Sequence, residues 1–298
     1  MDAGAHSSIG SFEERIVETV DGLTIYARDY APLAPVTGLP VICLHGLTRN
    51  SRDFEVIAPR IAALGRRVVA ADMRGRGKSA NDPDPAHYVP AVYAQDVLSL
   101  LDKLEIPSAV FLGTSMGGLV TMLIGTLAPN RIAAVVINDI GPKLEKEGLA
   151  HLLTYVGHGR PLPSWDAAAQ TLRDNVGDAY PARADDAAFW QTFARRAYRQ
   201  REDGQIETDY DSSIALTMLD PEVTPIPDLS PLFQTIVSKP VLSVHGALSN
   251  ILSIDGVAHM RGLKPDLHTV EVENVGHAPC LDEPEAWDAI LDFLAQVE

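Results

Sequence analysis

Ala109-Val110-Phe111-Leu112-Gly113-Thr114-Ser115-Met116-Gly117-Gly118 runs from four apolar residues through a small-residue turn into an apolar stretch that continues to Leu127. Ala109 to Leu112 reads as a short strand buried on both faces, and Met116 to Leu127 as a helix. Between them lies a G-x-S-x-G sequence. A serine in a sharp turn from strand to helix holds its hydroxyl clear of the backbone, and its small neighbours let the two elements approach closely. The helix starting at Met116 aims its N-terminal N–H groups and positive dipole end at the space beside Ser115. The Met116 amide is therefore one candidate donor to an oxyanion. Position between strand and helix separates this serine from one that falls by chance in a glycine-rich turn.

The same alternation extends in both directions. Upstream, Pro40 to Leu44 and Arg67 to Ala71 are continuous apolar runs, and Phe54 to Leu64 between them carries apolar residues at helical spacing. Arg15 to Val20 and Thr24 to Tyr30 read as an antiparallel hairpin around Asp21-Gly22. A helix over Val92 to Leu104 precedes the central strand, and a strand at Ala133 to Ile137 follows its helix. Strand, helix and strand in series predict a parallel sheet with right-handed crossovers. From Gly141 to Phe233 the strand signals stop, and helix-prone pieces punctuated by Gly and Pro take over. Val241 to Val244, a helix near Ile254 to Met260, a strand at Thr269 to Val272 and a closing helix from Pro284 to Val297 then resume the pattern. The expected organisation is a core over residues 1–140, a helical cap over 141–235 and the rest of the core over 236–298, with Pro221 to Pro231 as the cap's exit.

A serine hydroxyl needs a base to take its proton. His277, in Val275-Gly276-His277-Ala278-Pro279, follows the last strand and precedes the last helix, where the base belongs in the chain order serine, acid, histidine. His245 ends its own strand, and His259 and His268 read as helix-face and loop residues. The second oxyanion donor is expected from the loop after Pro40 to Leu44, where His45-Gly46-Leu47 stands. The Leu47 amide is the candidate, and His45 is read as a packed residue that shapes the turn.

Taken together these residues resemble the α/β-hydrolase family over Asp21 to Val297. The shared signals are His45-Gly46, the run Asp72-Met73-Arg74-Gly75-Arg76-Gly77-Lys78-Ser79, the elbow Gly113 to Gly118, Asn138-Asp139-Ile140-Gly141-Pro142 and Gly276-His277. The resemblance implies an eight-stranded, mostly parallel sheet with a helical cap inserted after the sixth strand. It also implies a Ser-His-acid triad working through an acyl-enzyme. Ser115 at the elbow is unlike the haloalkane dehalogenases and epoxide hydrolases of this fold, whose nucleophile is a carboxylate.

One position departs from the family pattern. Gly246-Ala247-Leu248-Ser249-Asn250-Ile251-Leu252-Ser253 resembles the S-D-x-L-S pattern of relatives, with Asn250 where their acid stands. An amide there favours the wrong imidazole tautomer. Three readings follow. Asp139, at the end of its strand, serves His277 from the alternative acid position of the fold; Asn250 orients His277 itself; or the chain is an engineered, weakened variant that traps a ligand. Asp139 is preferred because a strand's C-terminal edge is where ligands bind in open α/β sheets. Asp255 reads as a helix-start residue and Asp282 as a helix N-cap.

Arg49 is a candidate for binding a substrate carboxylate, set against pairing with an acid of the cap. Aromatic cap residues, Trp165 among them, are candidates to line the pocket. Arg195 to Arg201 reads as the solvated face of a cap helix.

Forty acidic residues against twenty-four basic ones give a net charge of −16, which argues against nucleic acid or anionic lipid as partner. Apolar residues at 46% and charged residues at 21% are the balance of a globular chain. No run of about 18 apolar residues predicts a membrane helix, and Met1 to Arg15 lacks a secretory pattern, so a cytoplasmic location is expected. Cys43 and Cys280 form no disulfide framework or metal-spaced cluster and are read as small apolar fillers. The expected activity is hydrolysis of a small-molecule carboxylic ester with no metal or organic cofactor and with a homodimer left open. Rivals are a lactonase, a carbon–carbon bond hydrolase and a binding protein that has lost turnover.

Overall fold

The computed structural model describes residues 10–297; the first nine residues of the Met1 to Arg15 stretch, expected to lack a secretory pattern, lie outside them. The sheet is built where the sequence is most apolar. Strands β1 (Glu13–Glu18), β2 (Thr24–Tyr30), β3 (Val41–Leu44), β4 (Val68–Ala71), β5 (Ala109–Thr114) and β6 (Ile132–Asn138) are succeeded by a hairpin of β7 (Tyr198–Gln200) and β8 (Ile206–Thr208). The main sheet then ends with β9 (Val241–Gly246) and β10 (His268–Val272). Its eight strands run in the order β1-β2-β4-β3-β5-β6-β9-β10. β2 is antiparallel to both of its neighbours, and every pairing from β4 to β10 is parallel. Every residue of β3 and β4 is buried, as expected of strands covered on both faces.

The covering is made by helices α1 (Ile57–Ala63), α2 (Pro90–Lys103), α3 (Met116–Leu127), α4 (Lys146–Tyr155), α5 (Trp165–Val176), α6 (Ala187–Ala197), α7 (Ser230–Phe233), α8 (Ile254–Leu263) and α9 (Pro284–Ala295). Apolar residues of α2, α3 and α8 pack on one face of the sheet around Phe111, Val135 and Ile137. Those of α1 and α9 pack on the other, around Val110, Leu112 and Val136. The alternation of burial along β5 and β6 thus feeds two cores from one strand, the period-2 geometry of a pleated sheet.

The first hairpin starts two residues earlier than its apolar pattern suggested. Thr19 N–H donates to Leu23 O and Gly22 N–H to Thr19 O, closing a loop that ends β1 at Glu18. The inserted cap holds α4 to α7 and has a small core of its own, in which Leu172, Tyr180, Trp190, Phe193 and Ile206 meet. It is not free of strands: β7 and β8 pair with Arg199 opposite Glu207. Arg195 to Arg201 is therefore split between α6 and this hairpin instead of forming one helix face. Leu229 N–H donates to Pro142 O at 2.9 Å, so the chain leaves the cap beside the point where it entered.

Polar contacts seat the cap on the core. Asn50 Nδ2 donates to Arg196 O, Arg52 pairs with Asp209, and Arg196 pairs with Glu55. Beneath, Arg74 is 1% exposed and its guanidinium binds Asp96 through two hydrogen bonds and Asp82 and Asp21 through one nitrogen. A buried guanidinium is tolerated because its fork is filled by carboxylates.

Candidate active site

Strand register brings the first two residues together. β5 and β6 pair in parallel with Thr114 opposite Asn138, so Ser115 and Asp139 each stand one residue past the last registered pair. Ser115 N–H donates to Asn138 O at 2.9 Å, and Asp139 N–H donates to Val244 O at 2.8 Å, extending the sheet beyond its named ends. Both residues sit in the left-handed region, Ser115 at φ +50° and Asp139 at φ +55°. For serine this is a strained conformation, which surrounding structure must impose. Two glycines show how it is imposed. A β-carbon on Gly113 would lie 2.5 Å from the Gly117 carbonyl, and one on Gly117 would lie 2.1 Å from Leu44 O. Only glycine lets helix α3 start this close to β3 and β5.

His277 arrives from the loop after β10. Its Nδ1 lies 2.8 Å from Asp139 Oδ2, and its Nε2 lies 2.8 Å from Ser115 Oγ. An ionised carboxylate only accepts, so the ring proton is on Nδ1, and the bare Nε2 accepts from the serine hydroxyl. The other oxygen of Asp139 accepts the Gly246 N–H at 2.8 Å, and the residue is wholly buried. Both carboxylate oxygens are thus occupied, each by a donor. Asn138, also buried, donates to Pro279 O at 2.8 Å and to Thr114 Oγ1 at 3.1 Å, tying the histidine loop to the ends of β5 and β6. Tyr180 of the cap donates to Ala278 O at 2.7 Å, which holds the same loop from above.

Asn250 does not share in this arrangement. It is exposed, and among the described residues it makes no side-chain hydrogen bond to His277. The reason is geometric: Asp139, just past β6, occupies the Nδ1 side of the ring, and its other oxygen is met by the Gly246 amide at the end of β9. Asp255 lies in the first turn of α8, capped by Ser253, and Glu283, not Asp282, is the N-cap of α9.

The loop after β3 faces Ser115 across Gly46, where a β-carbon would meet Ser115 Cβ at 3.8 Å. The Gly46 carbonyl accepts from Arg49 N–H at 3.2 Å and lies 2.7 Å from His45 Nδ1. His45 Nε2 in turn accepts the Met73 N–H at 3.0 Å, so Nδ1 carries the proton and donates. Burial pushes the His45 pKa down to about 4, keeping this neutral tautomer. With the Gly46 oxygen held on one side, planarity of the trans peptide turns the Leu47 N–H the opposite way. Among the described residues no hydrogen-bond acceptor takes the Leu47 N–H, and none outside α3 takes the Met116 N–H. Arg76 anchors the next peptide by donating to Leu47 O at 3.0 Å, its own guanidinium lying 4.8 Å from the Tyr93 ring centre. The Arg76 contact was not foreseen; its only signal was the glycine-flanked position in Arg74-Gly75-Arg76-Gly77.

A cavity of about 130 Å³ opens over these groups, walled by Leu47, Tyr155, Leu172, Tyr180, Phe193 and Leu281 among others. Trp165 is not in this wall; at the start of α5 its ring lies beneath Arg195 instead, 4.5 Å from the guanidinium. Arg49 is in the wall, paired with Asp53 of the core and not with a cap acid, at 2.5 Å. Burial opposes its charge and Asp53 outweighs that, holding the guanidinium above its ordinary range. Cys280 also faces the cavity, and burial pushes its thiol pKa up, so it is a protonated wall residue. Among the described residues, two groups of side chains have metal-ligating types close together, Asp21 with Asp82 and His87, and Cys280 with Asp282 and Glu283. In the first, Arg74 already supplies the positive charge.

The strand order, the serine turn, the helices on both faces and the insertion after β6 define a hydrolase scaffold. The chain belongs to the α/β hydrolase fold family, whose sequence profile matches residues 40–284. It is 30% identical over 260 residues to a 3-hydroxybutyrate-oligomer hydrolase of Cupriavidus necator, covering 84% of this chain and 86% of that protein. It is 28% identical to a 2-(acetamidomethylene)succinate hydrolase of Mesorhizobium japonicum over 99% of both chains. Among solved structures, an α/β hydrolase from Novosphingobium aromaticivorans is 40% identical and superposes with a TM-score of 0.89 over 97% of this chain and all of that one.

Proposed function

We propose that this hydrolase is a serine-dependent carboxylic ester hydrolase working through an acyl-enzyme. The observation that carries the reading is the unbroken series Ser115 Oγ, His277 Nε2, His277 Nδ1, Asp139 Oδ2, with both links at 2.8 Å. Ser115 Oγ attacks the ester carbonyl while His277 Nε2 takes its proton, and the carbonyl oxygen becomes an oxyanion facing the Leu47 and Met116 amides. The tetrahedral intermediate collapses, the carbon–oxygen bond to the alcohol breaks, and His277 returns its proton to the leaving oxygen. Water then repeats the sequence, His277 acting as base, and releases the acid. Asp139 fixes the tautomer and stabilises the imidazolium that forms in each half.

The binding-protein reading rested on Asn250 as a replacement for the acid, and Asp139 in contact with His277 supplies an intact carboxylate. A relative named for hydrolysing hydroxybutyrate oligomers favours esters over carbon–carbon bonds. The cavity is slightly smaller than the roughly 150 Å³ that holds a benzene molecule, which suits short acyl groups. A panel of p-nitrophenyl esters from acetate to octanoate tests this: turnover falling beyond the short chains and abolished in Ser115→Ala is expected. Turnover that survives Ser115→Ala would end the proposal.

A further inference from the structure

Arg49 is built unlike an ordinary ion-pair partner. Its Nε and Nη2 donate to Asp53, and its guanidinium carbon lies over the Phe193 ring, 4.2 Å from the ring centre. Among the described residues nothing accepts from Nη1. Guanidinium has five N–H donors in a plane, and Asp53 engages two of them, one on Nε shared between both carboxylate oxygens and one on Nη2, along one edge. The remaining edge is fixed in orientation by the stacking and the pairing, so little rotamer freedom is lost when a second anion binds.

Its location gives that edge a meaning. Arg49 and Ser115 are neighbours across Gly46: the point a Gly46 β-carbon would occupy is 3.6 Å from Arg49 Cγ and 3.8 Å from Ser115 Cβ. Arg49 also lines a second cavity, of about 320 Å³, which runs into the cap between Tyr155, Tyr198 and Tyr210. Thr48, Arg49, Tyr155 and Leu172 are common to the two cavities, so Arg49 stands at the passage between them. The other residues at the passage are neutral; Arg196 also lines the catalytic chamber, but it is paired with Glu55 and stands outside the passage. An oriented cation at this passage, in the wall of the chamber that holds the nucleophile, selects for an anionic group on the substrate.

Building on the ester hydrolase reading, we propose that the preferred substrates are esters carrying a free carboxylate, which the outward edge of Arg49 binds while Ser115 attacks the ester group. The carboxylate shares the guanidinium with Asp53, and the remainder of a longer substrate extends past it into the cap cavity.

The test compares charged esters with isosteric uncharged ones. On the acid side the pair is monomethyl adipate and the primary amide of the same half-ester; on the alcohol side it is 4-(butanoyloxy)butanoate and 4-(butanoyloxy)butanamide, all followed by pH-stat titration. In the wild type at least one carboxylate ester is expected to exceed its amide in kcat/KM by about tenfold or more, the range of a charge-assisted hydrogen bond. That ratio should fall to near one in Arg49→Gln. A wild-type ratio near one for both pairs, or a ratio unchanged in Arg49→Gln, overturns the proposal. Should Arg49→Gln fail to fold because Asp53 is left unpaired, Asp53→Asn serves: removing the competing anion should raise the ratio, and a ratio that stays or falls overturns the idea. Equilibrium binding of 4-(butanoyloxy)butanoate and its amide to Ser115→Ala reads the same preference without turnover. If no ester is hydrolysed yet the carboxylate is bound preferentially, the ester hydrolase reading fails and the Arg49 assignment stands.

Discussion

Replacing Asp139 with asparagine changes one oxygen to an NH2 group in a site where both oxygens are spoken for. Gly246 N–H needs an acceptor on one side, and His277 Nδ1 meets the other at 2.8 Å. The amide has a single oxygen. If that oxygen stays with His277, the NH2 group is driven against the Gly246 N–H, donor against donor, in a fully buried position; an unmet buried donor costs about 1–3 kcal/mol. If the oxygen turns to Gly246, the NH2 group faces Nδ1, which must then be the bare nitrogen. The ring proton moves to Nε2, opposite Ser115, and the base can no longer accept from the hydroxyl. The second arrangement satisfies every group and is the one expected. The same exchange in a serine protease lowers turnover about ten-thousandfold, equivalent to about 5.5 kcal/mol in the barrier. Asparagine also tolerates the φ of +55° at this position, so folding is preserved. The assay is kcat/KM on p-nitrophenyl butyrate, with thermal unfolding as the control for folding and nitrogen chemical shifts of the ring for the tautomer. Asn250→Asp, measured alongside, should change kcat/KM by less than about threefold, since a side chain without contact to the ring shifts the barrier by well under 1 kcal/mol. A variant Asp139→Asn that keeps more than about a tenth of wild-type activity, a loss of under 1.4 kcal/mol, would refute the assignment.

Arg74→Met should lower unfolding free energy by about 3–5 kcal/mol in urea titration, because it strands the buried carboxylates of Asp96 and Asp82; a loss below about 1 kcal/mol would show that the cluster relaxes by taking up water. Gly117→Ala should be destabilised by about 3 kcal/mol or more and lose activity, since its β-carbon meets the Leu44 carbonyl and a backbone strand must move; circular dichroism and activity at 20 °C check it. His45, with its pKa depressed to about 4 against an ordinary value near 6.5, makes stability fall as pH falls through that interval. The unfolded chain takes up the proton first, so from pH 7.5 to pH 5 this residue removes about 2 kcal/mol. His45→Gln should flatten the corresponding part of the stability profile, and a difference between the two proteins that does not vary with pH would contradict it.

The features that were legible in the sequence share a physical cause. Strands such as Val41–Leu44 and Val68–Ala71 are buried on both faces, so their neighbours hardly matter to their pattern. The serine turn is legible because sterics at Gly113 and Gly117 allow no other residue. Asp139 could only be preferred among several readings, because its partner is set by a lateral fact: β6 lies beside β9, and the sheet continues one hydrogen bond past Asn138. Nothing local to Asn138-Asp139-Ile140 states that. The cap shows the opposite failure. The turn Asp203-Gly204, with Gly204 at φ +84°, is a hairpin signal, but its strands are three residues each, and the helix-face reading of Arg195 to Arg201 takes in the first of them. Trp165 was placed in the pocket on its residue type alone, and its true position follows from how α5 packs on α6, a tertiary choice with no local signature.

Asn250 bears on how such departures are to be read. A substitution at a motif position weakens a site only if the motif residue has the geometric role, and in the mechanism proposed above that role falls to Asp139 at the end of β6. The loop after β9 is then released from supplying a carboxylate. The end of β9 itself supplies the Gly246 amide, which fixes the second oxygen of Asp139 and so determines which nitrogen of His277 carries the proton. The hydrogen bond from Gly246 is therefore as much a part of the proposed acid–base apparatus as the carboxylate. This also explains why an exposed side chain four residues further along is free to be an amide.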